Sequence, residues 1–216
     1  MLSALETKYD EPLANVAFSF NALRPYGLGK ARAARDQVWA VVLGTGVTND
    51  GRRNKAGYAA PSAAAQAEAV RRAMHEARVA PRDVSYVECH ATATNIGDGI
   101  EVLGLLDAFR SQGGEAGPGP GEHGWCALGS VKGNIGHANC AAGLSAVIKL
   151  ALCLRHRTLV PTANFRSLSP KLPLAGSPFF VSQGTVPWMQ RSNVGCRTAA
   201  STPFGSACCH LLKSWN

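Results

Sequence analysis

VSYVECHATAT, residues 84–94, decides the reading of this chain. Val84–Cys89 is a short run of β-branched, aromatic and apolar residues, which predicts a buried strand. It delivers His90 at its carboxyl end. Thr92 and Thr94 follow, two hydroxyls on one face of an expected extended segment. A second stretch repeats the design. Trp125–Val131 predicts a strand, and Lys132-Gly133-Asn134-Ile135-Gly136-His137 a tight polar turn behind it.

Each turn leads into a predicted helix. After the first, Asp98–Arg110 places Ile100, Leu103, Leu106 and Phe109 toward the core. After the second, the nearly uncharged run Ala138–Leu154 predicts a buried central helix, with Arg155, His156 and Arg157 at its negative dipole end. Upstream, Val38–Leu43 reads as a further strand. Ser62 reads as the N-cap of a helix whose stripe is Ala63, Ala67, Val70, Met74 and Ala77, stopped by Pro81. Phe179–Ser182 is the last predicted strand. Strands alternating with helices imply an α/β layered sheet with helices on both faces.

In such sheets ligands bind beyond the carboxyl ends of strands. Two histidines there can converge on one reacting atom, because imidazole N–H groups stabilise an oxyanion and a neutral ring takes a proton. Taken singly, a histidine at a strand end is usually an ordinary surface or hydrogen-bonding residue. Thr92 and Thr94 fit either a polar ligand tail or turn chemistry. Lys132 is either solvated or a buried lysine that disfavours protonation of nearby histidines and favours anionic ligands. No metal is expected: His90 and His137 are far apart, no third ligand stands at fixed spacing, and none of the seven cysteines forms a CxxC pair.

Of the 216 residues, 46% are hydrophobic and 17% charged, which excludes a disordered chain and allows a sizeable core. The formal net charge is +8. No Asp or Glu follows Glu122, and those last 94 residues hold nine Lys or Arg: Lys132, Lys149, Arg155, Arg157, Arg166, Lys171, Arg191, Arg197 and Lys213. They are scattered, with no basic run and no aromatic interleaving, so they read as spread surface charge and not as a nucleic-acid site. No apolar run reaches membrane-spanning length, and residues 1–15 lack the apolar stretch of a signal peptide. A reduced, cytoplasmic protein with no membrane or nucleic-acid partner is the expectation.

The residues resemble a known family. Tyr86–Thr94, with Gly97-Asp98-Gly99-Ile100-Glu101, is similar to the ketosynthase motif VEAHGTGT…GDPIE. Gly129–His137 is similar to GSVKSNIGH. The resemblance runs from about Val38 to about His210 and is to β-ketoacyl synthase domains of modular polyketide synthases and related fatty-acid synthases. It implies a thiolase-like fold, of which this chain holds mainly the C-terminal half. Residues 37–216 form that domain, and residues 1–36 match poorly.

By this resemblance His90 and His137 are the catalytic pair, supported by a buried Lys132. Thr92 and Thr94 contact a phosphopantetheine arm. Asp98, Glu101, Asn134, Phe204 and Gly205 are structural residues near the site. No cofactor is bound, and the phosphopantetheine is carried by a partner acyl carrier protein. The other implied partners are an N-terminal ketosynthase half bearing the cysteine nucleophile and, in a complete enzyme, a second copy in a homodimer. The implied reaction is decarboxylative Claisen condensation of an acyl thioester with malonyl-carrier protein. A thiolase relative is disfavoured, since thiolases typically pair one histidine with a second cysteine.

The departures are specific. A TACSSS-like nucleophile motif is absent from these 216 residues. Both glycines of HGTGT are alanine, Ala91 and Ala93, which costs about 1 kcal/mol each if the backbone needs positive φ. The loop GFGGTNAH aligns with Pro203–His210, where only Phe204 and Gly205 of its core persist. Asn139 stands where a glutamate is common. Cys140 and Cys89 are expected as packing residues. The alternative is a non-catalytic or degenerate fragment that docks a carrier protein or complements a separate half.

Overall fold

The structure, a computed structural model, describes residues 16–18, 26–50, 61–94, 96–110, 123–189, 196–202 and 208–214. Ten strands and five helices appear among them. In chain order they are β1 (Val16–Phe18), β2 (Tyr26–Gly27), α1 (Leu28–Ala33), β3 (Ala40–Val47), α2 (Ala63–Ala77), β4 (Val84–Cys89), α3 (Gly97–Arg110), β5 (Cys126–Gly129), α4 (Lys132–Ile135), α5 (Ala142–His156), β6 (Thr158–Leu159), β7 (Phe179–Val181), β8 (Val186–Pro187), β9 (Thr198–Thr202) and β10 (Cys208–Ser214). One sheet of eight strands runs β2-β1-β3-β10-β9-β4-β5-β7. Strands β9, β4, β5 and β7 are parallel, while β10 pairs antiparallel with both β3 and β9.

Strand alternation builds the layers. On β4, Val87 and Cys89 pack with Val70, Met74, Leu105 and Phe109 of α2 and α3. Tyr86 faces the other way and joins Val147, Leu150 and Leu154 of α5. Helices therefore cover both faces, as the alternation of elements predicts. Helix α2 has its expected cap: Ser62 Oγ accepts the Ala65 N–H at 3.2 Å. It ends with Arg78 in left-handed backbone, before Pro81 opens a 3-10 turn. Among the described residues no helix is long and apolar enough to cross a membrane.

Several boundaries differ from expectation. The strand predicted at Val38–Leu43 is β3, shifted to Ala40–Val47. The strand predicted at Trp125–Val131 is only Cys126–Gly129, because Val131 already begins the helical turn α4. The run predicted as helix from Ala138 begins with a 3-10 turn, Asn139–Ala141, and is α-helical from Ala142. On α3 the expected face holds at Leu106 and Phe109 but not at Leu103 or fully at Ile100. Leu103 is 52% exposed and Ile100 only half-buried, while Glu101, Val102, Leu105, Leu106 and Phe109 are buried. A strict period of three drifts off a helix of 3.6 residues per turn, and the buried face follows the latter.

Candidate active site

Strands β9, β4 and β5 lie side by side and parallel, so their carboxyl ends form one edge. Thr202 ends β9, His90 follows β4, and the segment Ser130–His137 follows β5. That adjacency brings together two histidines that are distant in sequence. The rings of His90 and His137 lie 5.0 Å apart, edge to face at 82°. His137 Nδ1 accepts the backbone N–H of Asn139 at 3.2 Å. In the neutral ring the proton therefore sits on Nε2, leaving one N–H donor. Asn139 itself holds φ +47°, a conformation asparagine tolerates better than most residues.

The His90 pKa is lowered to about 4, by burial first, then by the charges of Lys132 and His137. At neutral pH this ring is uncharged and can donate an N–H without a charge of its own. Lys132 opens α4 and is half-buried, not fully buried as expected. Burial lowers its pKa, against the attraction of Glu101 and Glu88.

The segment after His90 is not extended. Ala91 and Ala93 sit at φ +35° and +60°. Two carboxylates of α3, one turn apart, hold this backbone. Glu101 accepts the N–H of His90 at 2.8 Å and of Ala91 at 2.9 Å, and the Thr202 hydroxyl at 2.9 Å. Burial pushes its pKa up to about 7, against those three hydrogen bonds, which favour the anion. Asp98 takes the N–H groups of Ala93 and Thr94, and burial raises its pKa. Thr94 Oγ1 accepts the Gly97 N–H at 3.1 Å, capping α3, and lies 3.4 Å from Thr92 Oγ1. The two threonines thus sit on one rim, Thr92 half-buried and Thr94 exposed.

Asn134 lies exposed on α4. Phe204 and Gly205 lie outside the described residues. Cys89 packs in the core, as expected, but Cys140 is exposed beside the His137 turn and not packed. The helix it was expected to enter starts only at Ala142.

Sequence reasoning missed one group. Glu88, 1% exposed, points from β4 beneath the histidine turns. It accepts the Tyr86 hydroxyl at 2.8 Å and the backbone N–H of Val131. Burial and the Glu88 charge hold the Tyr86 pKa well above 10, so this hydroxyl is a donor. Lys149 Nζ stands 2.7 Å from Glu88 Oε2 as a close ion pair, without the alignment of a good hydrogen bond. Lys149 is therefore internal, which corrects its reading as spread surface charge. A lone glutamate in an otherwise apolar strand was the signal, since buried carboxylates are nearly always paired.

Residues 39–166 match the family described as the β-ketoacyl synthase, C-terminal domain. The chain is 41% identical over 179 residues to polyketide synthase ThaG of Burkholderia thailandensis, covering 83% of this chain and 3% of that protein. It is 40% identical over 165 residues to polyketide synthase PksM of Bacillus subtilis, covering 76% and 4%. It thus spans a small fraction of these relatives' length. Among solved structures, the ketosynthase from module 6 of the bacillaene synthase of Bacillus subtilis superposes with a TM-score of 0.78 at 33% identity, covering 89% of this chain and 35% of that one. An oxazolomycin ketosynthase domain of Streptomyces albus gives 0.77 at 36% identity, covering 87% and 33%.

Proposed function

We propose, from the premise that this chain belongs to the β-ketoacyl synthase family as its C-terminal domain, with that family's thiolase-like α/β fold, that it supplies the two-histidine half of a decarboxylative condensing site. The observation that carries this reading is the His90–His137 ring pair at the carboxyl ends of adjacent parallel strands. In the proposed reaction a malonyl thioester lies against the pair. Its carbonyl oxygen accepts an N–H from His90 and another from His137. The C–C bond to the carboxylate breaks, CO2 leaves, and the electron pair passes into an enolate held by the two donors. The enolate carbon then attacks an acyl thioester on a cysteine of the other half. A new C–C bond forms and the thiolate departs, giving a β-ketoacyl thioester.

Burial, with the Lys132 charge second, keeps His90 neutral, and that charge favours the malonyl carboxylate. Thr92 and Thr94 hydrogen-bond the phosphopantetheine arm of an acyl carrier protein. No cofactor is required beyond that arm. These 216 residues do not complete the reaction alone, since they contain no cysteine in the family's nucleophile context. The partners are a cysteine-bearing half and an acyl carrier protein.

A second reading has its own support. The methyls of Ala91 and Ala93 stand on left-handed backbone at the rim of the site, where a degenerate chain that only docks a carrier protein or complements another half would tolerate strain. One assay separates the two. Purified chain is incubated with acyl and malonyl carrier-protein thioesters, with and without a separately produced cysteine half. Product only in the mixture supports the condensing reading. Salt-sensitive carrier binding with no product in the mixture supports the second, and product from this chain alone overturns both.

A further inference from the structure

Glu88 touches every segment that carries the histidines. It lies on β4, two residues before His90, which follows the strand. Its Oε1 takes the N–H of Val131, where β5 turns into α4, one residue before Lys132. Its Oε2 meets Lys149 in the middle of α5. Val131 and Lys149 bracket His137, so one carboxylate holds both ends of the segment that bears that ring. Tyr86 completes the set from the same strand.

The group lies in a closed setting. The Glu88 side chain is 0% exposed and that of Lys149 is 10% exposed. A Cβ on Gly129 would come within 2.2 Å of the Tyr86 hydroxyl and 3.3 Å of Lys149 Nζ. The strand that precedes the Lys132 turn thus leaves room for the cluster only by carrying glycine there.

A buried ion pair of this kind is weak evidence for stability, because desolvation offsets much of its attraction. Its contribution can instead be geometric. We infer that Glu88 is a positioning residue, which sets the His137 segment in register against His90 through Val131 and Lys149. This rests on the proposed two-histidine site but is tested without any reaction.

The full chain is labelled at histidine, and the nuclear Overhauser cross-peak between the His90 and His137 rings is recorded. Two variants are compared. Glu88→Leu with Lys149→Met removes both the pair and the acceptor for the Val131 N–H without stranding a charge. Val147→Ala opens a cavity on the same helix without touching Glu88. We expect the cross-peak to be lost in the first variant and kept in the second at a lowered Tm. A cross-peak that survives removal of the pair overturns the inference, as does equal loss in both variants or its absence from the unaltered chain. Adding back the glutamate alone, as Lys149→Met, retains the Val131 contact and is expected to keep part of the signal; no signal there also counts against the inference. Failure of the condensation assay with these results intact overturns the functional reading and leaves this one standing.

Discussion

Ala91 and Ala93 adopt left-handed backbone, which costs an L-residue with a Cβ about 1–2 kcal/mol. Glu101 and Asp98 capture the strained N–H groups and hold them there. We expect Ala91→Gly and Ala93→Gly each to raise stability by about 1 kcal/mol, measured by denaturant unfolding. A loss of stability would show that the methyls make contacts worth more than the strain. His90 makes a separate claim. Its folded pKa is about 4, while the unfolded ring titrates near 6.5. Between those values the unfolded chain binds more protons. The His90 contribution is thus intact above pH 6.5 and is lost as pH falls toward 4. We expect His90→Gln to flatten the fall in Tm between pH 7 and pH 4.5. An unchanged slope would place the ring in solvent. The histidines themselves were legible in the sequence, because each followed a predicted strand. The left-handed turn was legible only through the glycines that the resemblance expects at Ala91 and Ala93.

Strands β9 and β10 were invisible to periodicity, although they join β3 to β4 in the sheet. Thr198–Thr202 is TAAST, buried at every position. A central strand covered by helices on both faces loses the alternation that marks a half-buried one. Small residues fill it because the helices pack close, so it lacks the bulky β-branched run as well. Helix α3 was found, but its buried face was misjudged at Leu103. Glu88 was overlooked because nothing in a strand pattern says what a buried carboxylate meets 61 residues later at Lys149. Gly129 tests the packing of these elements. Its added Cβ collides with the Tyr86 hydroxyl, the donor to Glu88. We expect Gly129→Ala to destabilise the chain by about 2 kcal/mol in urea unfolding. An effect near zero would mean that the Tyr86–Glu88–Lys149 cluster has room to shift.

For the whole molecule, the absence of acids after Glu122 takes on a different meaning. One of the nine positive charges, Lys149, is internal and balanced by Glu88 from the acid-containing part. The other eight keep the C-terminal segment positive, which we propose reflects either a match to an acidic carrier protein or relaxed divergence. Ile96, Ile135 and Leu144 are exposed apolar residues on the segments that carry the site. We expect hydrogen exchange across residues 132–144 to slow when a cysteine-bearing half is added. Unchanged exchange would place the contact elsewhere. The joint action of His90 and His137 on a malonyl thioester is tested most directly by release of labelled CO2. The substrate is malonyl-carrier protein, and the chain is mixed with a cysteine-bearing half. We expect release that falls on the order of a hundredfold in His90→Ala and in His137→Ala. Release at the same rate with both histidines replaced would contradict it.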